Sequence, residues 1–181
     1  MRGLFAVAGA ASIAASSAFV SPAVDLAANV LTVTGYTSLG SLDWEMSDMM
    51  QGAFCSPASG NTCEEVEYLS GVPNIGESSG LWALRAALAS AQPPTMVVGF
   101  SQGAMIATDW ILRYGDTAVA PSPSDLSFVM MANPLRKYGG VRPIYGDEDP
   151  TPADTAYRVL DIAREYDGAA DVPDNLFNLL A

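Results

Sequence analysis

The sequence predicts an α/β fold in which helices flank a parallel β-sheet. Apolar runs typical of buried strands alternate along the chain with amphipathic stretches typical of helices, joined by turns rich in Gly, Pro and Asp. Such alternation favours parallel strands, because a parallel connection needs a crossover that a helix supplies. A chain of 181 residues that is 50% hydrophobic can bury one full core, so we expect a single domain.

The first half of this pattern contains two candidate strands and one helix. NVLTVTGYT (29–37) is β-branched and apolar, and it predicts the first core strand. EEVEYLSG (64–71) predicts a short second strand. Residues 74–94 predict a helix, because apolar side chains recur at helical spacing, Asn74 and Glu77 fit a capping box, and two prolines follow.

The second half repeats the alternation. TMVVGF (95–100) is typical of a fully buried strand, and GAMIATDWILRYG (103–115) of a helix closed by a glycine. LSFVMMANP (126–134) predicts another core strand. Residues 136–156 show neither a helical nor a strand period, so we expect a loop. AYRVLDIAREYDG (156–168) is strand-like at its centre and ends in a turn.

Composition excludes several kinds of ligand. A net charge of −12 and a pI near 4.1 argue against nucleic acid and anionic membrane surfaces as partners. The chain has no histidine and two cysteines, which cannot complete a tetrahedral metal shell. It also lacks a phosphate loop and a dinucleotide fingerprint, so we expect neither a metal nor a cofactor.

The N-terminal segment predicts export. Arg2 is followed by an uncharged, Ala- and Ser-rich stretch from Gly3 to Val24, with small residues at Ser21 and Ala23. A cation, an apolar region and a small-residue cleavage zone are typical of a signal peptide, which we place at residues 1–24. The alternative is an uncleaved membrane anchor, since the stretch is just long enough to cross a bilayer. Either would leave the protein secreted or held in the cell envelope.

Cys55 and Cys63 are the only two cysteines, and they stand in a loop rich in Ser, Pro, Gly and Asn. In the oxidising compartment that export implies, we expect them to form a disulfide, with free thiols as the alternative. Closing so small a ring contributes roughly 2.5 kcal/mol.

The stretch GFSQG (99–103) matches GxSxG directly after a predicted strand and before a predicted helix. This strand–turn–helix context exposes a serine nucleophile, here Ser101, above the sheet edge. The backbone N–H of Gln102 would donate to a developing oxyanion, and a second donor is expected in Gly35–Thr37, with Tyr36 our candidate. The side chain of Gln102 either orients the loops of the site or lies at the surface. The alternative to the whole hypothesis is a glycine-lined turn with a bystander serine.

The acid that accompanies such a serine follows it along the chain, usually on a turn after a later strand. Asp167 fits this position best, and Asp171 in the same turn is the alternative. Asp154 and Asp161 are further candidates. For each of them, the competing interpretation is an ordinary solvated turn carboxylate.

GFSQGA also resembles the G-[YF]-S-Q-[GS]-A turn of cutinase-like serine esterases. The chain is more closely similar to the mycobacterial PE-PPE domain, a serine α/β-hydrolase module, and we expect that domain to span residues 29–181. The similarity is carried by four stretches in order, which are VLTVTGYTSLG, GFSQGA, LSFVMMANPLRKYGGVRP and AREYDGAADVPDNLFNLLA. Ala132 departs from the G-N-P-x-R-P-x-G-G segment of that family.

This resemblance implies a cutinase-like α/β-hydrolase fold. It also implies a carboxylic-ester hydrolase, lipase-like enzyme or acyltransferase that acts on lipid or other acyl esters in the cell envelope. No cofactor is implied. Association with the membrane or cell wall would follow if the N-terminal apolar segment is an uncleaved anchor.

The resemblance also implies a histidine base beyond residue 181, whereas these 181 residues contain none. We therefore expect a domain that is incomplete at its C-terminal end and, by itself, inactive or weak. The alternative is an exported, non-catalytic cell-envelope binding domain derived from the hydrolase fold.

Overall fold

The computed structural model describes residues 28–37, 45–72, 75–146 and 148–173. Their centre is a five-stranded sheet in the order β2-β1-β3-β4-β5, and every neighbouring pair is parallel. The strands are β1 (Asn29–Val33), β2 (Thr62–Glu65), β3 (Thr95–Phe100), β4 (Leu126–Met131) and β5 (Arg158–Ile162). This sheet confirms the predicted α/β class.

Among the described residues, two longer helices and two short ones accompany the sheet. They are α1 (Met49–Gly52), α2 (Gly76–Ser90), α3 (Gln102–Tyr114) and α4 (Val141–Tyr145), with 3₁₀ turns at Met46–Asp48 and Pro57–Ser59. The backbone of α1 is irregular, because Met50 and Gln51 have positive φ. The strands and helices predicted around residues 95–100, 103–115 and 126–134 lie where the sequence indicated them.

Helices α2 and α3 cover one face of the sheet, and their apolar sides form the larger core. Leu84 of α2 and Ile106 of α3 are fully buried there with Val97 and Phe128 of the strands. Trp110 of α3 packs against Phe128, with 5.8 Å between ring centroids. On the opposite face, a smaller cluster of strand side chains is covered by the segment around Met46.

Three sequence predictions need correction. The second strand is Thr62–Glu65 and not 64–71, because the chain leaves the sheet after Glu65 and turns toward the end of β1. Helix α2 begins at Gly76 after Ile75, without a side-chain cap, so the capping box at Asn74 and Glu77 is wrong, and Asn74 lies outside the described residues. The expected loop 136–156 contains the five-residue helix α4.

The expected disulfide is present between Cys55 and Cys63, with their Cα atoms 5.7 Å apart. It joins the segment after α1 to β2 at the sheet edge and indicates an oxidising compartment. The predicted signal peptide or anchor at residues 1–24 lies outside the described residues. In the part of the chain that the structure describes, no helix is both long and apolar enough to cross a membrane.

The N-terminus of α3 lies directly against the end of β1. A Cβ atom on Gly103 would come within 2.0 Å of the Val33 carbonyl oxygen and 2.7 Å of the Thr34 oxygen. A Cβ on Gly99 would come within 2.7 Å of the Gly103 oxygen. Both neighbours are backbone, so neither contact can be relieved by a side-chain rotation. Glycine is therefore needed at both ends of the turn that contains Ser101.

We expect Gly103→Ala to lower the free energy of unfolding by about 3 kcal/mol or more, because β1 and α3 must separate to admit the methyl group. Urea unfolding followed by circular dichroism measures the loss. Gly168→Ala is the matched control, since a Cβ at that position meets no atom within 4 Å. Equal stability of the two variants would contradict the close approach of α3 to β1.

Candidate active site

Ser101 forms the turn between β3 and α3, with φ 52° and ψ −112°. Its N–H donates to the Met131 carbonyl of β4 at 2.9 Å, and its carbonyl accepts from Ala104 and Met105 in the first turn of α3. The residue is half-buried. Such a conformation costs a non-glycine residue about 1–3 kcal/mol and persists because both sides of the peptide are hydrogen-bonded. The strand–turn–helix context predicted from GxSxG is therefore present around Ser101.

Positive φ recurs along the same edge of the sheet. Ala132 follows β4 with φ 48°, and Tyr166 follows β5 with φ 62°. Together with Ser101, they place strained backbone after three successive strands, where parallel sheets form their binding crevices. The carboxyl edge of β3, β4 and β5 is therefore the candidate site.

Gln102 is the first residue of α3, where the N–H groups have no intrahelical acceptor and face a developing anion. Its side chain is buried rather than at the surface. The Gly71 N–H donates to its Oε1 at 3.4 Å, and the Tyr68 hydroxyl lies 3.2 Å from the same oxygen. Of the two sequence interpretations, the one in which Gln102 orients the loops agrees with these contacts.

The loop after β1, which was expected to supply the second oxyanion donor, lies beside the end of β3. A Cβ on Gly35 would stand 3.3 Å from the Phe100 carbonyl oxygen. The Thr37 N–H donates to Ser70 Oγ at 3.2 Å and is therefore engaged elsewhere. Of the three N–H groups in the predicted range, those of Gly35 and Tyr36 remain as candidate donors to an oxyanion. The Tyr36 side chain is exposed.

The two leading acid candidates occupy the turn after β5 and differ in their contacts. Asp167 Oδ1 accepts the N–H groups of Ala169 and Ala170 at 2.8 and 3.0 Å. In the described part of the chain, no hydrogen bond to its Oδ2 is formed. Asp171 uses both oxygens, accepting from the Tyr166 N–H at 3.0 Å and lying 3.5 Å from Arg136 Nη1. The two carboxylates thus differ in that both oxygens of Asp171 are engaged, whereas only Oδ1 of Asp167 is.

The two further candidates lie elsewhere. Asp154 is exposed and lines a cavity with Ile111 and Leu112, near the C-terminal end of α3. Because α3 has 13 residues, that end is about 20 Å from the turn at Ser101. Asp161 lies within β5, paired with Met130 and below the turn.

Asp161 belongs to a buried polar network that the sequence analysis missed. Asn133 is fully buried, and its Nδ2 donates to Asp161 Oδ2 at 3.0 Å and to Thr151 Oγ1 at 2.9 Å. The hydroxyls of Thr151 and Thr108 share a hydrogen bond of 2.7 Å. This network fastens the chain after β4 to α3 and β5. Asparagine followed by proline at the end of an apolar strand was the only sequence signal for it.

Burial raises the pKa of the Asp161 carboxyl, and the Asn133 hydrogen bond and Arg136 oppose this rise only in part. Its Oδ1 is buried and has no hydrogen-bond partner among the described residues, although Arg136 Nε is 3.9 Å away. The carboxylate is thus incompletely compensated when it is charged.

We expect Asp161→Asn to become more stable, relative to the native chain, as pH rises from the ordinary aspartate pKa of 3.8 through the raised native value. In this window the folded chain holds a proton that the unfolded chain has released, so the native free energy of unfolding falls with pH. The variant has no carboxyl at this position, so its free energy of unfolding lacks this dependence on pH. Urea titrations across this window measure it, with the exposed Asp149→Asn as control. Parallel profiles for the native chain and Asp161→Asn would contradict the raised pKa.

No group of three or more His, Cys, Asp or Glu side chains that could hold a metal ion occurs in the described ranges. The candidate site thus consists of Ser101 at a strained turn, the start of α3, the loop after β1 and the carboxylates after β5.

Comparisons with known proteins agree with this arrangement. The PE-PPE domain model matches residues 56–181. The chain is 32% identical over 117 residues to SL1278 acyltransferase Chp1 of Mycobacterium tuberculosis (strain ATCC 25618 / H37Rv), covering 60% of this chain and 29% of that protein. It is 37% identical over 98 residues to Esterase PE16 of the same strain, covering 48% and 18%. The chain thus spans less than a third of the length of these curated relatives.

Solved structures with the same fold are more distant in sequence. A cutinase-like protein from Cryptococcus sp. superimposes with a TM-score of 0.56 at 16% identity, over 80% of this chain and 79% of its own. An acetyl xylan esterase gives a TM-score of 0.52 at 20% identity, over 83% and 88%. Lysin B from Mycobacteriophage D29 gives 0.55 at 16%, over 84% and 70%.

These neighbours share the α/β-hydrolase fold, and the family model covers more than half of the chain. The PE-PPE match includes the serine turn, the loop after β4 and the turn with both leading acid candidates. The chain belongs to the PE-PPE domain family, an esterase- and acyltransferase-like family with the cutinase-type α/β-hydrolase fold.

Proposed function

We propose that this chain carries the nucleophile, the oxyanion donors and the acid of a serine hydrolase or acyltransferase that acts on acyl esters. The observation that carries the proposal is the backbone of Ser101, which has positive φ between a central strand and a helix N-terminus. A bystander serine in a turn has no need of a strained conformation that neighbouring hydrogen bonds maintain.

In this proposal Ser101 Oγ attacks the carbonyl carbon of the ester and forms a tetrahedral intermediate. The N–H groups of Gln102 and Tyr36 donate to the oxyanion. Collapse of the intermediate breaks the ester C–O bond, and the alcohol leaves with the proton that Ser101 lost. Water or a second alcohol then attacks the acyl-enzyme, which distinguishes hydrolysis from acyl transfer.

The general base is the part that these 181 residues do not supply, since they contain no histidine. We assign it to an imidazole from outside them, which Asp167 orients through its Oδ2. By itself, the chain should retain only the catalysis that an oxyanion hole and binding provide, ~10³–10⁴ over water.

The substrate class follows from the relatives. One is named an acyltransferase and another an esterase, which supports a lipid or other acyl ester as substrate. The disulfide indicates an oxidising compartment, so we place the reaction outside the cytosol, in the cell envelope or the medium. The proposed export signal or anchor at residues 1–24 would deliver the chain there.

A second candidate function is a non-catalytic binding domain of the cell envelope. The missing histidine favours it, because a hydrolase fold without a base can still bind acyl chains. The two candidates differ in whether Ser101 becomes reactive when a base is present.

Exogenous imidazole tests this difference. With the native chain, we expect a fluorophosphonate probe to label Ser101. The labelling rate should rise about tenfold in about 0.1 M imidazole, because free imidazole supplies only part of the ~10²–10⁴-fold acceleration that a positioned base gives. Hydrolysis of a nitrophenyl ester should rise in parallel. Mass spectrometry of the labelled peptide identifies the site.

Ser101→Ala should abolish the imidazole-dependent labelling, whereas Ser124→Ala, at an exposed serine, should leave it unchanged. A native chain that imidazole does not activate would refute the catalytic proposal and support the binding domain.

A further inference from the structure

We propose that residues 66–72, between β2 and α2, position the oxyanion hole. Ser70 and Tyr68 would hold the loop after β1 so that its N–H groups face Ser101. This inference rests on the proposed function and names positioning residues for it. None of these contacts was expected from the sequence.

Ser70 is hydrogen-bonded to two residues of the loop. Its hydroxyl donates to the Gly35 carbonyl at 2.6 Å and accepts from the Thr37 N–H at 3.2 Å and the Thr37 hydroxyl at 2.9 Å. One donated and two accepted bonds use the full capacity of a serine hydroxyl. The Ser70 side chain therefore bonds the residues before and after Tyr36.

Tyr68 holds Thr34, the residue before Gly35. Its hydroxyl donates to the Thr34 carbonyl at 2.7 Å. Burial raises the pKa of Tyr68 to about 12, so the phenol keeps its proton at any pH at which an esterase works. The hydroxyl therefore remains a hydrogen-bond donor to Thr34 across that range.

These two bonds determine where the loop amides point. A trans peptide is planar, and its C=O and N–H point in opposite directions. Fixing the Thr34 carbonyl toward Tyr68 therefore directs the Gly35 N–H away from Tyr68. Fixing the Gly35 carbonyl toward Ser70 likewise directs the Tyr36 N–H away from Ser70. The remaining donors of the loop thus face away from residues 66–72.

The same segment also reaches the other proposed donor. The Gly71 N–H donates to Gln102 Oε1, and the Tyr68 hydroxyl is 3.2 Å from that oxygen. The segment is itself anchored, because the Val66 N–H donates to the Thr32 carbonyl at 2.9 Å and the Leu69 N–H to Ser79 Oγ at 3.2 Å. One anchored segment thereby contacts both the loop after β1 and the side chain of the first residue of α3.

The hydrogen bonds of Ser70 and Tyr68 to the loop after β1 are here called the brace. The test compares variants that remove these bonds with matched controls. Ser70→Ala and Tyr68→Phe remove the two hydroxyls. Ser59→Ala is the serine control, because Ser59 Oγ also bonds loop carbonyls, those of Phe54 and Ser56, at another place. The tyrosine control is Tyr157→Phe, whose hydroxyl donates to the Pro121 carbonyl at 2.8 Å.

Two measurements are made on each variant of the whole chain, namely amide hydrogen exchange at residues 35–37 and the rate of Ser101 labelling in imidazole. We expect Ser70→Ala to speed exchange there and to slow labelling by about 10- to 100-fold, somewhat less than the ~10²–10³ loss of a whole oxyanion donor. Tyr68→Phe should act in the same direction. Ser70→Thr, which keeps the hydroxyl, should restore most of the rate.

The outcomes separate this inference from the proposed function. Unchanged exchange at residues 35–37 in Ser70→Ala overturns the brace. Faster exchange with unchanged labelling overturns its role at the oxyanion hole. Equal slowing in the Ser59→Ala and Tyr157→Phe controls also overturns it, because the effect would then follow general stability. Absence of labelling in the native chain instead refutes the proposed function, and with it the catalytic meaning of the brace, while the exchange data still decide the brace itself.

Discussion

The contact between the N-terminus of α3 and the end of β1 is the constraint on which the rest of the structure depends. It exists because residues 99 and 103 have no side chain, so two backbones meet at a separation that a methyl group would prevent. This approach fixes the turn that contains Ser101 at the carboxyl end of β3. It also brings the loop after β1 beside the start of α3, as the proposed oxyanion hole requires.

The carboxyl edge of the sheet is held together by successive hydrogen bonds that compensate its strained backbone. The Ser101 N–H bonds the Met131 carbonyl of β4, the Ala132 N–H bonds the Ile162 carbonyl of β5, and the Tyr166 N–H bonds Asp171. Ser101 and Ala132 are thereby fixed to the neighbouring strand, and Tyr166 to a carboxylate of its own turn. A rigid edge of this kind is what preorganised catalysis needs, because donors that must move cost activation energy.

Membership in the PE-PPE family and likeness to cutinase-type structures agree with the fold that forms this edge. The relatives are several times longer than the part that matches. The described region contains Ser101, the loop after β1 and the turn after β5, which together form the candidate site at this edge.

Local pattern in the sequence was sufficient to predict the α/β class, β3, α3, β4, the disulfide pair and the serine turn, because each depends on residues close in sequence. Contacts between distant segments were not predictable. The end of β2 at Glu65, the role of Ser70 in holding Gly35, and the network around Asn133 all join residues far apart along the chain. Only the folded chain shows that Asp171 is engaged on both oxygens while Asp167 is not, because partners decide a carboxylate's role and tertiary structure decides the partners.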